Sequence, residues 1–263
     1  MMTGHASLRI SYIGGGYDFP RFFEDREVHI ISEGLPLSIE CVAGNIGLSH
    51  SSTQLLSVKW DFPSTNLGSG LGSSAARYLS FIRAKFPEAP QREQINAAIT
   101  LDGLQAGGWQ DTIASAYDGL IKIVLHKNDW DVHPLEGFGL SLHLYRNLYR
   151  IPVIASQKSI LTSMRCRKSS FDKVQALVQD GEHALRSNDP KRFGEVVLAA
   201  WNLKKQWHTD ISNSTIENME QVASDAGAWG WKVCGAGGQG YFLIIGDEDC
   251  HEKIGRTYER LAI

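Results

Sequence analysis

Hydrophobic positions divide the chain into short strands, mostly in its first half, and longer helices, mostly in its second. Apolar runs rich in β-branched and aromatic residues predict strands, and apolar positions three and four residues apart predict helices. The predicted strands cover residues 8–13, 28–42, 55–62, 119–125, 140–145, 231–234 and 241–245. The predicted helices cover residues 74–85, 93–104, 171–185, 193–207, 216–227 and 249–261, with a capping signal at Ser214 in the fifth.

Strands and helices are mixed without a regular βαβ repeat, which favours an α+β fold over a doubly wound parallel sheet. A length of 263 residues suits one large domain or two modest ones. Pro134 and Gly137 interrupt the pattern, so we expect an N-terminal domain over residues 1–136 and a C-terminal domain over residues 137–263.

Composition and charge narrow the class of protein. Hydrophobic residues make up 43% and charged residues 21%, which is typical of a folded globular protein. The net charge is −3 without a basic block, so no nucleic acid or anionic membrane partner is expected. Because no apolar run could span a bilayer and no secretion signal is visible, we expect a cytoplasmic protein. The four cysteines are widely scattered and are interpreted as reduced thiols: Cys41, Cys166, Cys234 and Cys250.

A glycine-rich loop at residues 66–75 leads directly into the first long predicted helix. Glycines allow a close backbone approach to an anion, and the N–H groups of a helix N-terminus favour phosphate. The loop lacks the Gly-Lys-Ser/Thr ending of a P-loop, and a flexible linker ending in a serine N-cap is the alternative. If the loop binds a phosphate group, a bulky residue at Gly70 or Gly72 is expected to weaken ligand binding with little change in the thermal midpoint.

Two further glycine clusters lie near the ends of the chain, at residues 14–16 and 235–240. A tight turn explains each of them taken alone. Arg9 and Asp18, which have opposite charges, bracket the first cluster. Two glycine-rich segments can approach backbone to backbone, so we expect residues 235–240 to lie against the phosphate loop.

Taken together and in order, the three clusters resemble the GHMP kinase superfamily of galactokinase, homoserine, mevalonate and phosphomevalonate kinases. Residues 9–18 are similar to its first motif, residues 68–75 to its nucleotide-binding motif and residues 232–240 to its third. Residues 110–119 and 201–213 narrow the resemblance to the D-glycero-D-manno-heptose 7-phosphate kinase branch. The resemblance implies an N-terminal lobe like ribosomal protein S5 domain 2, a ferredoxin-like C-terminal lobe and an active site between them.

The same resemblance implies ATP and Mg²⁺ as cofactors and a sugar or sugar-phosphate acceptor, and it leaves a homodimer open. It assigns the catalytic base to Asp111 and the cation beside it to Arg9. Substrate binding falls to Gly15, Gly16 and Asp18, and magnesium binding to Ser74 and Asp102. The implied nucleotide-binding residues are Gly68, Ser69, Gly70, Leu71, Gly72, Ser73, Ser74, Gly237 and Gly238.

Several of these residues have structural alternatives. Asp111 could instead be a helix N-cap, and Asp102 a solvated carboxylate on a helix face. Lys204 and Lys205 could bind a sugar phosphate, but solvated positions on a helix face are the simpler interpretation. For the whole chain, another sugar kinase of the fucose or galactose type, or a nucleotide- or sugar-binding protein without turnover, is the alternative to a heptose 7-phosphate kinase.

Overall fold

A computed structural model describes residues 2–45, 53–60, 70–103, 107–135, 142–152, 168–238 and 240–263. The strands are β1 (Met2–Ile13), β2 (Val28–Asn45), β3 (Thr53–Trp60), β4 (Gly119–His126), β5 (Asp129–Pro134), β6 (Arg146–Arg150), β7 (Gly230–Val233) and β8 (Tyr241–Ile245). The helices are α1 (Pro20–Phe23), α2 (Ser73–Lys85), α3 (Gln91–Gly103), α4 (Trp109–Ala114), α5 (Lys168–Arg186), α6 (Pro190–Lys205), α7 (Ser214–Asp225) and α8 (Glu248–Gly255). Single 3₁₀ turns cover Leu142–Leu144 and Thr209–Ile211.

The strands form two antiparallel sheets. The larger has the order β1-β2-β4-β5, and β3 pairs with the far end of the long strand β2. The smaller has the order β6-β8-β7. The boundary expected near residue 136 lies outside the described residues, so the two-domain division stays a prediction.

Helices cover both faces of the larger sheet and bury the strand that carries Arg9. Helix α2 packs on β1 so closely that a Cβ at Gly4 would meet the Ser80 carbonyl at 2.1 Å. Helices α5 and α6 contact β1 as well. Strand β1 is therefore buried almost continuously from Leu8 to Ile13, which holds Arg9 in a fixed place. Within the described ranges, no helix combines the length and apolar composition needed to cross a bilayer.

Several local predictions differ from the structure. Within the strand predicted at 140–145, Leu142–Leu144 form a 3₁₀ turn, and the strand begins only at Arg146. The edge strand β5 was missed because most of its side chains are exposed and polar. The last helix ends at Gly255, after which the chain pairs with β6 through Tyr149 and Arg260. The N-cap of α7 is Asn213, whose side chain accepts the Ile216 N–H at 3.0 Å.

Candidate active site

A cavity of about 200 Å³ lies where the three glycine clusters meet. The first cluster contributes Gly15 and Gly16, the second Gly70 and Gly72, and the third Gly235. Arg9, Asp18 and Asp111 line the same cavity. The fold therefore brings together residues that are more than 200 positions apart in the sequence.

A bidentate ion pair joins Arg9 to Asp111 at the wall of this cavity. Arg9 donates from Nε to Asp111 Oδ1 at 2.8 Å and from Nη2 to Oδ2 at 2.6 Å. The Arg9 side chain is 4% exposed and that of Asp111 is 33% exposed, so the carboxylate faces the cavity with the guanidinium behind it. Burial acts to lower the pKa of Arg9, but the charge and hydrogen bonds of Asp111 outweigh burial and raise it. Arg9 is therefore a permanent cation that orients the Asp111 carboxylate.

The N-cap alternative for Asp111 is wrong. Helix α4 begins at Trp109 with Gly108 as its N-cap, and Asp111 is the third helical residue. Both of its oxygens accept from Arg9, which is a contact between distant elements rather than a local cap. A side chain facing a cavity in this way is available for contact with a substrate.

The second glycine cluster is hydrogen-bonded to β1 just before α2 begins. The Arg9 N–H donates to the Leu71 carbonyl at 2.9 Å, and Arg9 Nη1 donates to the Gly70 carbonyl. Leu71 itself is fully buried in the core. Gly72 precedes α2 with φ +75°, so the first turn of α2 begins at the cavity with Ser73 and Ser74. Gly68 and Ser69 lie outside the described residues.

The expected contact between the second and third glycine clusters is confirmed. A Cβ at Gly70 would lie 2.2 Å from the Cys234 carbonyl oxygen, and one at Gly235 would lie 2.6 Å from the Gly70 Cα. Gly237 and Gly238 instead pack against the 3₁₀ turn at Thr209–Ile211, where the Gly238 N–H donates to the Ile211 carbonyl at 3.1 Å. Of the described residues of this motif, Gly235 and Ala236 line the cavity.

Asp18 forms the end of the cavity next to α4. Its carboxylate accepts the N–H of Gly16 at 3.1 Å and of Gln110 at 3.3 Å. The close approach requires Gly108, because a Cβ there would lie 1.9 Å from Asp18 Oδ2. Burial and the charge of Asp111 raise the pKa of Asp18 to about 6. The expected substrate residues Gly15, Gly16 and Asp18 thus lie on one wall of the cavity.

Asp102 is not a solvated carboxylate. It is 5% exposed, and Ser74 Oγ donates to its Oδ1 at 3.2 Å. Burial, followed by the charge of Asp111, raises the pKa of Asp102 to about 6. Two hard oxygen donors at this separation fit neighbouring ligands of Mg²⁺, which lie about 3 Å apart in an octahedral shell.

Magnesium binding here would depend on further oxygen ligands. Within the described ranges, no group of three or more His, Cys, Asp or Glu side chains is placed to hold a metal ion. Ser74 and Asp102 would supply two ligands, and phosphate oxygens and water the others. Mg²⁺ is usually bound by proteins with such a small set of side chains.

We expect Asp102→Asn to stabilise the ligand-free protein at neutral pH. The folded-state pKa of Asp102 lies above the unfolded value, so its contribution to stability is present below about pH 4 and lost as pH rises through 6. Asparagine keeps an acceptor for Ser74 and carries no charge. The gain in the free energy of unfolding should reach about 2–3 kcal/mol at pH 8. Thermal unfolding of both proteins from pH 4 to 8 tests this, and a pH-independent difference would contradict it.

The sequence offered Lys204 as a possible phosphate ligand but favoured a solvated position on a helix face. Its Nζ donates to the Gly235 carbonyl, and its side chain lines the cavity. Lys205, the next residue, instead pairs with Glu220 at 2.8 Å. The solvated-face interpretation is therefore wrong for Lys204, because the last turn of α6 ends beside the third glycine cluster.

Comparison with known proteins supports the fold. Residues 182–259 match the family model described as GHMP kinases C terminal. The structure is similar to Streptococcus pneumoniae phosphomevalonate kinase, with a TM-score of 0.78, 12% identity and coverage of 100% of this chain and 99% of that chain. The structure is also similar to L. major mevalonate kinase in complex with R-mevalonate, with a TM-score of 0.72, 18% identity and coverage of 97% of this chain and 90% of that chain. For a D-glycero-D-manno-heptose 1-phosphate kinase from Bacteriodes thetaiotaomicron, the TM-score is 0.71 and the identity 19%, with coverage of 99% of this chain and 95% of that chain.

A search of curated protein sequences finds no significant match. The structural neighbours establish the expected mixed α and β fold over nearly the whole chain. Residues 182–259 are thus similar to the GHMP kinase C-terminal family, and the chain as a whole has the GHMP kinase fold.

Proposed function

We propose that this protein is an ATP- and Mg²⁺-dependent kinase that phosphorylates a hydroxyl group of a sugar or sugar phosphate. The leading acceptor is D-glycero-D-manno-heptose 7-phosphate at its anomeric position. The observation that carries the proposal is the Arg9–Asp111 pair, which shares one cavity with the first turn of α2.

Phosphoryl transfer to a hydroxyl needs three things from a protein. The two substrates must be aligned, the charge of the phosphates must be offset, and a group must accept the hydroxyl proton. In this cavity a carboxylate held by two hydrogen bonds from Arg9 is suited to accept the proton. Arg9, donating also to the Gly70 carbonyl, ties the position of that carboxylate to the phosphate loop.

The nucleotide phosphates would bind at the start of α2. Gly70 and Gly72 line the cavity at this point, and a helix N-terminus favours negative charge. Ser74 and Asp102 would hold Mg²⁺, which offsets phosphate charge when bound. The acceptor would then lie along Gly15, Gly16 and Asp18, close to Asp111.

The choice of a heptose phosphate rests on the sequence resemblance and on the name of one structural neighbour. That neighbour is a heptose 1-phosphate kinase, whereas others act on mevalonate or phosphomevalonate by their names. All lie below 20% identity to this chain.

An ADP-release assay with ATP and Mg²⁺ tests the function. The acceptor panel should hold D-glycero-D-manno-heptose 7-phosphate, fucose, galactose, mevalonate and phosphomevalonate. Turnover with the heptose phosphate alone supports the full proposal, and turnover with another acceptor corrects the substrate. Binding of ATP without turnover on any acceptor would favour a binding protein and contradict the kinase assignment.

A further inference from the structure

We propose that Lys204 is the side chain that binds a substrate phosphate at the junction of the first and third glycine clusters. The inference rests on the proposed function and deepens it, because it assigns a phosphate subsite on the C-terminal half of the chain. The phosphate could belong to ATP or to the acceptor, and the experiment below separates the two.

The position of Lys204 is the first argument. It lies in the last turn of α6 and lines the main cavity together with Gly15, Gly16 and Gly235. Its Nζ donates to the Gly235 carbonyl, so the ammonium lies beside the residue that contacts Gly70. A lysine ammonium is a compact charge with three donors, which suits a phosphate oxygen.

A second cation lies behind Lys204 without a carboxylate to balance it. Lys232 is 6% exposed, and its Nζ donates to the carbonyl groups of Ser11 and Tyr12. In the described part of the chain, no carboxylate lies within ion-pair distance of Lys232. Burial, together with the charges of Lys204 and Arg9, lowers its pKa to about 7. An anion bound at Lys204 would offset this concentration of positive charge.

A buried donor without an acceptor points to the same place. Lys204, Lys232 and Trp207 line a small cavity of about 20 Å³ that reaches Gly14 and Gly15. The Trp207 side chain is buried, and its Nε1–H has no acceptor among the described residues. The cavity has room for about one oxygen atom. Its side-chain polar groups are N–H donors and the Tyr12 hydroxyl, which itself donates to Glu33. An anionic oxygen therefore fits the cavity better than a cation or another donor.

The test compares Lys204→Met with Lys205→Met, which removes the neighbouring charge that is paired with Glu220. Dissociation constants are measured by calorimetry for ATP, ADP, D-glycero-D-manno-heptose 7-phosphate and the unphosphorylated heptose. Losing one charge-assisted hydrogen bond should weaken binding by about 10–100-fold. Lys204→Met should show this loss, Lys204→Arg should recover part of it, and Lys205→Met should stay within about twofold of the wild type.

The arms identify the phosphate. A loss for ATP but not ADP assigns Lys204 to the γ-phosphate, and a loss for the heptose phosphate but not the heptose assigns it to the acceptor. Equal weakening of ATP and ADP with a lower thermal midpoint would mean that Lys204 only supports Gly235, and would overturn the inference, as would unchanged binding of all four compounds. Binding can be measured without turnover. If the wild type were inactive but Lys204→Met still bound these compounds more weakly, the kinase function would be rejected and the phosphate subsite would be kept. Wild-type protein that binds none of the compounds would reject both.

Discussion

Asp111→Asn is expected to lower kcat by about 10²–10⁴-fold, the usual contribution of a general base. Asparagine fills the same space but cannot accept the hydroxyl proton. The substitution should leave KM for ATP largely unchanged, because Asp111 lies on α4 rather than on the phosphate loop. Single-turnover phosphorylation of the active acceptor, measured well below the thermal midpoint, gives the rate of the chemical step directly.

The same substitution should also destabilise the fold, which the sequence did not suggest. The Arg9 side chain is 4% exposed. The NH₂ group of an asparagine would face one of the Arg9 N–H groups, so that Arg9 donor would lose its acceptor. We expect a loss of about 1–3 kcal/mol in the free energy of unfolding. A double-mutant cycle with Arg9→Met isolates the pair, since the double variant should lose less than the sum of the single variants.

Asp118→Asn is the matched control for Asp111→Asn. Asp118 accepts a hydrogen bond from Ser7 at 2.9 Å and belongs to a different surface of the protein. Its replacement should leave kcat within about twofold, as expected for a surface position. If Asp111→Asn also retained a rate near the wild-type value, Asp111 would not be the base and the proposed chemistry would be wrong.

Gly70→Ala should damage both the fold and nucleotide binding. The new Cβ would lie 2.2 Å from the Cys234 carbonyl oxygen, and the residue has φ +81°. Strain in this conformation and the forced separation of two backbone segments should together lower the free energy of unfolding by about 2–4 kcal/mol. The structure thus changes the expectation that a larger residue here would leave the thermal midpoint nearly constant. Denaturant unfolding and ATP titration measure the two effects.

Gly227→Ala separates conformation from contact. Gly227 has φ +85°, but a Cβ there would have nothing within 4 Å. Its replacement should cost only about 1–2 kcal/mol and leave ATP binding unchanged. The difference in free energy of unfolding between Gly70→Ala and Gly227→Ala measures the energetic contribution of the contact between the glycine clusters. Equal losses would show that the contact contributes nothing beyond the backbone conformation.

The sequence predicted the parts of the site that depend on backbone alone. Glycines at 70 and 235 signalled a close approach, and the structure contains it because no other residue leaves that space. Strand β8 and helix α2 were predicted within one residue, since their apolar spacing is regular. Strand β5 could not be found, because an exposed edge strand lacks a hydrophobic pattern.

Residues whose role depends on tertiary placement were harder to predict. Lys204 and Lys205 are identical in type and adjacent, yet one faces the cavity and the other pairs with Glu220. The direction of each side chain depends on where α6 ends relative to β7, and no local pattern encodes that. Asp102 posed the same difficulty, because Ser74 reaches it only after α2 and α3 have packed together.

The bonds from Lys232 to Ser11 and Tyr12 have a consequence for synthesis of the chain. The ribosome makes Arg9, Gly70 and Asp111 more than 100 residues before it makes Lys232 and Gly235. The larger sheet can therefore collapse while its cavity still lacks one wall. A nascent chain that has not reached Gly235 lacks one wall of the cavity, so a ligand that needs all three glycine clusters cannot stabilise the fold before that residue is made.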